Sequence, residues 1–293
     1  MQQHTSIRDL RSHLARERQA GRTIGVVPTM GALHAGHEAL IREARAANDV
    51  VVVSIFVNPT QFGDAQDLAH YPRTLEKDLA LCEAAGADHV FLPDVAEMYG
   101  AGEQTKITVS PLGEDLIGTL RPGHFTGVAT VVAKLLNIVQ PSRAYFGRKD
   151  FQQLTIIRRM VADLFIPVEI VGVATVRDAD GLALSSRNAR LSERERAASV
   201  VLSQALFKGA AMIEAGETSL QAVAESMRRR IEAEPLADLR SLDIREAATL
   251  GELTTIGSQA LVILVTAQIG PVLLIDQREA VPKAGRQATE GGR

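Results

Sequence analysis

The sequence predicts an α/β protein: a doubly wound, Rossmann-like parallel sheet followed by a smaller α+β carboxy-terminal domain. Three observations carry this expectation. Apolar strand runs alternate with helical patterns through the first half of the chain, as βαβ units require. One of those runs, residues 50–58, is nearly continuous in apolar side chains, which suits a parallel strand covered on both faces. Beyond Thr175 the order changes to helices followed by strands, the mark of an α+β unit.

Taken in order, Ile7, Leu10 and Leu14 stand at helical spacing and predict an amphipathic first helix. Residues 24–28 read as a strand, 38–47 as a helix, 50–58 as a strand, 73–85 as a helix and 89–92 as a short strand. Residues 127–139 are apolar nearly all round, so this helix is expected to be deeply buried. A strand at 143–146, a helix at 151–164 and a strand at 168–173 complete the alternation. Asp180-Gly181 marks a turn, and residues 182–191 a polar loop closing on Ser192, an N-cap with Glu195 three residues on. Helices follow at 193–215 and 218–233, then strands at 239–245, 260–269 and 272–275. The expected domains are 1–175 and 176–293, with the polar, small-residue tail from about residue 279 disordered.

The chain has 293 residues, 46% hydrophobic and 23% charged, enough for one large or two modest cores. A formal net charge of −3 supplies no global attraction to nucleic acid. No apolar run approaches the ~20 residues of a membrane span, and the charged N-terminal stretch is unlike a signal peptide. The single cysteine, Cys82, excludes an internal disulfide and fits a cytoplasmic protein. It shares helical spacing with Leu75, Leu79 and Ala85, so it reads as a small core residue.

Candidate chemistry gathers where strands end. From Ile24 to His37 an apolar strand breaks at Pro28, passes Gly31 and Gly36 together with His34 and His37, and enters a helix from about Glu38. Unpaired first-turn N–H groups and the positive end of the helix dipole make such a turn an anion site. The two histidines stand three apart, so both imidazoles can reach one phosphate, which would be met by imidazole and backbone. The stretch is neither a P-loop nor the Gly-rich dinucleotide fingerprint. Its plainer reading is a glycine-containing turn with two surface histidines.

Asn58-Pro59-Thr60-Gln61-Phe62-Gly63 follows the second strand and offers two uncharged amides able to hold a hydroxyl or carboxylate, or simply a polar turn. Gly147-Arg148-Lys149-Asp150-Phe151-Gln152-Gln153 opens a helix: Gly147 permits close approach, and Lys149 offers a point charge for phosphate. Asp150 can cap the helix, or bind a ribose hydroxyl or metal-bound water, and Gln153 points the same way one turn on. Leu184-Ser185-Ser186-Arg187 sits in a loop after Gly181, as an anion clamp or as a solvated linker. Arg121 and His124 can reach a substrate anion or anchor a loop, and Tyr71-Pro72-Arg73-Thr74 starts a helix.

Four segments in this order are more specific than any one of them. Pro-Thr-Met-Gly-Ala-Leu-His-x-Gly-His, Phe-Val-Asn-Pro-x-Gln-Phe, Gly-x-Lys-Asp-Phe-Gln-Gln and Gly-Leu-Ala-x-Ser-Ser-Arg-Asn together resemble the pantoate–β-alanine ligase family. That family belongs to the H-x-G-H nucleotidyltransferases, and the resemblance runs from about Ile24 to Leu191. It implies condensation of pantoate with β-alanine through a pantoyl adenylate, consuming ATP with Mg²⁺ and releasing pyrophosphate and AMP. No protein nucleophile and no direct protein ligand to Mg²⁺ are implied. The same resemblance implies a cytoplasmic homodimer that engages neither nucleic acid nor membrane.

The resemblance also assigns roles. His34 and His37 would bind the ATP phosphates within Met30, Gly31, Ala32, Leu33, Ala35 and Gly36, with His37 the proton donor the family usually credits. Lys149 and Arg187 would neutralise the leaving pyrophosphate, helped by Ser185 and Ser186. Gly147 and Asp150 would contact the ribose, and the Val176 backbone the adenine, with Arg148 and Leu184 alongside. Gln61 and Gln153 would hold pantoate, near Asn58, its gem-dimethyl group resting on Met30 and Phe62. The first domain would bind nucleotide and pantoate, and the second would be a lid carrying the Ser-Ser-Arg loop. Two positions depart from the family pattern: Arg148 stands where Glu is usual and Leu184 where Met is usual. Rival readings are another H-x-G-H adenylyl or cytidylyl transferase, a catalytically silent nucleotide-binding protein on the same scaffold, and a dinucleotide-binding oxidoreductase. The paired glutamines, the retained phosphate ligands and the missing G-x-G-x-x-G argue against them in turn.

Overall fold

The computed structural model describes residues 1–283 as two compact units, the first comprising 1–177 with 184–186 and the second 178–183 with 187 onwards. The second unit thus begins and resumes within the loop, and Ser185 and Ser186 belong with the first, where the sequence placed the whole Ser-Ser-Arg loop in the second. Their contacts decide this rather than their chain position.

The first unit runs β1 (Gln2–His4), α1 (Ile7–Gln19), β2 (Ile24–Thr29), α2 (Ala35–Ala47), β3 (Val50–Ile55), α3 (Ala65–Ala69), α4 (Leu75–Ala85) and β4 (His89–Phe91). It continues through α5 (Val95–Met98), α6 (Ile117–Leu120), α7 (His124–Val139), β5 (Arg143–Gly147), α8 (Phe151–Asp163) and β6 (Glu169–Val173). The six strands are all parallel, in the order β1-β4-β3-β2-β5-β6. Alternate residues of β2 and β3 serve opposite faces: Val26 and Val52 join one apolar cluster, and Val27, Val51 and Val53 the other. α7 lies in the first cluster and is buried on almost every side, as its sequence predicts.

From β2 the chain continues to β3 on one side, while β5 pairs on the other. That reversal makes a crevice at the carboxyl ends of β2 and β5, the place where doubly wound sheets bind ligands. The second unit carries α9 (Glu193–Ala215) and α10 (Leu220–Glu232) against an antiparallel sheet of β7 (Ala237–Glu246), β8 (Leu261–Ile269) and β9 (Val272–Ala280). Ser192 and Glu195 form the expected capping box at the start of α9.

Several boundaries differ from the sequence reading, each for a local reason. α2 begins at Ala35 rather than near Glu38, because His34 itself serves as N-cap. β3 ends at Ile55, and Asn58 caps a short 3₁₀ turn, Pro59–Gln61, instead of closing the strand. α7 starts at His124, three residues earlier than its apolar run. The last strand reaches Ala280 by pairing with β8, so Glu279 and Ala280 are ordered sheet rather than tail. The rest of the expected disordered tail, from residue 284, lies outside the described residues. β1 is too short to leave a pattern in sequence; pairing with β4 defines it.

Candidate active site

The turn after β2 is built by side chains that satisfy its own backbone. Thr29 Oγ1 donates to the Ser54 carbonyl at 2.7 Å and accepts from Gly31 N at 3.2 Å. Gly31 adopts φ +80° and Ala32 φ +50°, so the chain reverses through two left-handed residues. The amides of Ala32 and Leu33 donate to the two carboxylate oxygens of Asp78, at 2.9 and 2.8 Å, and Thr74 Oγ1 donates to the same carboxylate at 2.9 Å. Asp78 lies on α4 and is only 2% exposed.

His34 and His37 close the turn reciprocally. Gly36 N donates to His34 Nδ1 at 3.1 Å, and His34 N donates to His37 Nδ1 at 3.3 Å. A ring nitrogen that accepts from a backbone N–H holds the lone pair, so in each neutral ring the proton sits on Nε2. The turn therefore presents two Nε2–H donors from rings whose centroids are 4.2 Å apart. Gly36 is required here, because a Cβ would lie 2.8 Å from His34 Cε1. Burial, then the Lys149 charge, brings the His34 pKa down to about 4, while nearby Asp150 opposes the shift. Burial, then His34 and Lys149, brings His37 down to about 3. Both rings are neutral at pH 7.

This arrangement corrects one expectation. The backbone amides of Gly31, Ala32, Leu33, His34, Gly36 and His37 already serve protein acceptors, so the donors the turn leaves for a ligand lie on its imidazoles. Asp78 is the residue sequence reasoning missed. A carboxylate in helical register with Cys82 and Ala85, on the buried stripe, was the available signal. Cys82 is buried, and burial followed by the Asp78 charge pushes its thiol up to about 12, so it is no nucleophile.

Lys149 and Asp150 reach this place from the end of β5, in a 3₁₀ turn leading into α8. The influence of Lys149 on both imidazoles, and of Asp150 on His34, sets the two segments together electrostatically. Asp150 occupies the N-cap position of α8 without a capping hydrogen bond, so its carboxylate is not spent on the helix. A Cβ added at Gly147 would meet no protein atom within 4 Å, so no packing constraint asks for glycine there. Arg148 is exposed and its Nε donates to the Gly172 carbonyl at 3.1 Å. Leu184 N donates to the Val176 carbonyl at 3.0 Å, and Ser186 Oγ to the Ala32 carbonyl at 3.0 Å, which brings the serine pair onto the histidine turn. Arg187 follows in the chain and belongs to the second unit.

The amide pocket is organised by Asn58. It is 1% exposed; its Nδ2 donates to Gln61 Oε1 at 3.0 Å and to the Gly127 carbonyl at 3.2 Å. Its Oδ1 accepts from Tyr99 Oη at 2.6 Å and Thr60 Oγ1 at 2.9 Å. With its amide so engaged, Asn58 holds Gln61 rather than facing a ligand, contrary to its expected place among the pantoate contacts. Gln61 Nε2 donates to Met30 Sδ at 3.1 Å, which joins this loop to the histidine turn. His124 Nδ1 lies 2.8 Å from the Gln61 carbonyl oxygen, so it anchors the loop. Gly127 lets α7 approach: a Cβ there would lie 2.5 Å from the Thr60 carbonyl oxygen. Phe62 meets the Tyr71 ring edge-on, at 5.7 Å between centroids. A cavity of about 600 Å³ runs beside Gln61, Phe62, Tyr99 and His124. Of the neighbouring glutamines on α8, Gln152 spends its amide on Ile117 N and the Leu112 and Asp115 carbonyls, whereas Gln153 is half-buried on the first turn. Among the described residues no helix is long and apolar enough to cross a membrane.

The chain is similar to known proteins over nearly its whole length. A family model described as pantoate-beta-alanine ligase matches residues 2–279. A pantothenate synthetase of Rhizobium meliloti is 49% identical over 97% of this chain and 98% of its own length. The crystal structure of pantothenate synthetase from Thermus thermophilus superposes with a TM-score of 0.90 at 44% identity, covering 96% of this chain and all of the other. That of a Francisella tularensis pantoate-beta-alanine ligase, complexed with β-γ ATP and β-alanine, gives 0.79 at 33% identity over 97% and 99% of the two chains. With sequence and fold in agreement over nearly the whole chain, this protein belongs to the pantoate–β-alanine ligase family.

Proposed function

We propose that the crevice at the ends of β2 and β5 carries out adenylation of pantoate with the residues just described, in the following roles. The enzyme joins pantoate to β-alanine at the expense of ATP: the pantoate carboxylate attacks the α-phosphorus and expels pyrophosphate, and the β-alanine amine then displaces AMP from the acyl adenylate. Phosphoryl transfer of this kind needs positioning and charge stabilisation rather than a protein nucleophile.

The observation that carries the assignment is the pair of neutral imidazoles with both Nε2–H groups unspent by the turn, beside Lys149. As neutral rings, His34 and His37 donate hydrogen bonds to the phosphate oxygens, with His37 in the place of the proton donor the family usually credits. Lys149 supplies the full positive charge, and Ser185, Ser186 and Arg187 add donors as pyrophosphate leaves. Asp150 binds a ribose hydroxyl, the open space over Gly147 admits the sugar, and the Val176 backbone meets the adenine, with Arg148 and Leu184 beside the nucleotide. Gln61 and Gln153 hold pantoate by neutral amides, which leave its carboxylate nucleophilic; Met30 and Phe62 cover its methyl groups. Asn58 and His124 act through Gln61.

Asp78 is committed to backbone amides, so Mg²⁺ would be carried by the triphosphate oxygens, where it shares their charge. The second unit is proposed as the lid over the nucleotide, and the chain as a cytoplasmic homodimer, to be checked by sedimentation. Pyrophosphate and AMP release, followed with each of pantoate, β-alanine and Mg·ATP omitted in turn, tests the assignment. At most a stoichiometric burst of pyrophosphate without β-alanine, and AMP turnover with it, is the expected outcome. Loss of neither product in a His34→Ala, His37→Ala double variant would remove the turn from the site.

A further inference from the structure

The described residues hold a second histidine cluster, three strands from β2 at the β1 edge of the sheet. His4 ends β1 and is 2% exposed. Its Nδ1 lies 2.5 Å from Asp9 Oδ2 and its Nε2 lies 2.9 Å from His89 Nδ1 on β4. His13 stands one turn after Asp9 on α1, its Nδ1 3.5 Å from the Asp9 carboxylate. One ligand atom each from His4, Asp9 and His13 all lie within 4.8 Å of one another. Reaction chemistry uses none of these residues.

We propose that His4, Asp9 and His13 form a binding site for a divalent first-row transition metal, with Zn²⁺ or Co²⁺ as occupant, that clamps β1 to α1. Two imidazoles and one carboxylate suit ions of this class better than Mg²⁺ or Ca²⁺, which take oxygen ligands. The chemistry of entry is a paired change of tautomer. The ion takes the His4 Nδ1 lone pair as the proton shared with Asp9 leaves, and His89 passes its Nδ1 proton to His4 Nε2. His89 takes up a proton at its own Nε2, so no net proton is lost from the two rings. Neighbouring ligands of a tetrahedral ion stand about 3.4 Å apart for bonds near 2.0–2.1 Å, so the His4–Asp9 pair must open by roughly 1 Å. Asp9 can move that far, since half of its side chain is exposed. His4 cannot, and it has no need to. Once Nδ1 is metallated its remaining proton is on Nε2, where His89 Nδ1 waits as acceptor; such a partner at the outer nitrogen orients a ligating imidazole. Asp9 and His13 are i and i+4 on one helix face, so two ligands come from α1 and the buried one from the strand it covers.

The test uses tag-free, full-length protein stripped with chelator and dialysed against micromolar Zn²⁺ alone, with metal counted per chain. One equivalent is expected, with a rise in Tm as binding stabilises the folded state. His13→Ala, on a partly exposed helix position, should weaken Zn²⁺ binding at least tenfold while the ligase turnover with Mg·ATP stays within about twofold, which shows the variant folded. Asp9→Asn should do the same. Co²⁺ in place of Zn²⁺ should give visible d–d bands that His13→Ala abolishes. Absence of any bound equivalent would overturn the proposal, and so would binding that survives His13→Ala but disappears in His34→Ala, which would put the ion at the nucleotide turn.

Discussion

The first unit contains two clusters of histidines, and they present opposite faces of the same side chain. At the end of β2, backbone N–H groups donate into the Nδ1 atoms of His34 and His37, so each ring shows a donor outward. At the β1 edge, a carboxylate faces Nδ1 of His4, so the proton lies there and is exchangeable for a cation. The difference teaches that a histidine's chemistry is set by what holds its other nitrogen. A ring fed by amides beside a lysine suits phosphate; a ring facing a carboxylate suits a metal ion. Neither H-x-G-H nor the spacing of His4, Asp9 and His13 states this by itself.

The comparison can be broken most visibly at Lys149. Lys149→Ala should lower kcat/KM by about 10²–10³, the usual cost of removing one charge-stabilising donor, whereas His13→Ala should leave it within about twofold. Equal losses in steady-state assays would mean that the two clusters are not functionally distinct. Next is the support of the turn. Asp78→Asn keeps one acceptor and replaces the other with an amide that faces a backbone N–H, so the turn shifts; the expected outcome is a roughly tenfold rise in KM for ATP with the fold retained by circular dichroism.

Stability against pH separates the clusters by window: in both, stability is lost as pH falls, but at different pH. The folded pKa values of His34 and His37 are depressed to about 4 and about 3, below the ordinary 6.5. Between those values the unfolded chain binds more protons, so stability is greatest above pH 6.5 and falls as pH drops through that window, by at most ~1.4 kcal/mol per pH unit for each ring. Asp9 is held below its ordinary 3.8, chiefly by the His4 hydrogen bond, so its contribution is present above that value and disappears only in stronger acid. Urea midpoints at pH 7.5, 6.0 and 5.0 should fall steadily for the wild type and less for a His34→Gln, His37→Gln double variant. The smallest effect is expected at Arg148, whose exposed guanidinium meets a carbonyl at the sheet end; Arg148→Glu should change turnover no more than about twofold.

Much of the architecture was legible because it is written in local pattern. The continuous apolar run that became β3 and the all-round apolar α7 report burial on both sides, and both are buried so, with ends that local contacts shift by three residues. His34, His37, Lys149 and Gln61 stood out as candidates as well, since each stands beyond the end of a strand near Gly or Pro. Asn58 was not read correctly, because whether a polar amide faces ligand or protein depends on Tyr99, Thr60 and Gly127, far away in the chain. The Asp150 alternative, cap or ligand, was open in sequence; the structure shows only that Asp150 makes no capping bond.

By itself the sequence determined the α/β class, the alternation of strands and helices from β2 onward, and the family. Those properties follow from periodicity and from short motifs, whose physics acts within a few residues. The tertiary structure alone decided which atoms those residues present. It placed the Asp78 carboxylate under two amides of the histidine turn, moved Ser186 onto Ala32, and brought His4 between Asp9 and His89. Hydrogen bonds of that range join residues up to 154 positions apart, and no local pattern encodes which donor a folded chain will bring to which acceptor.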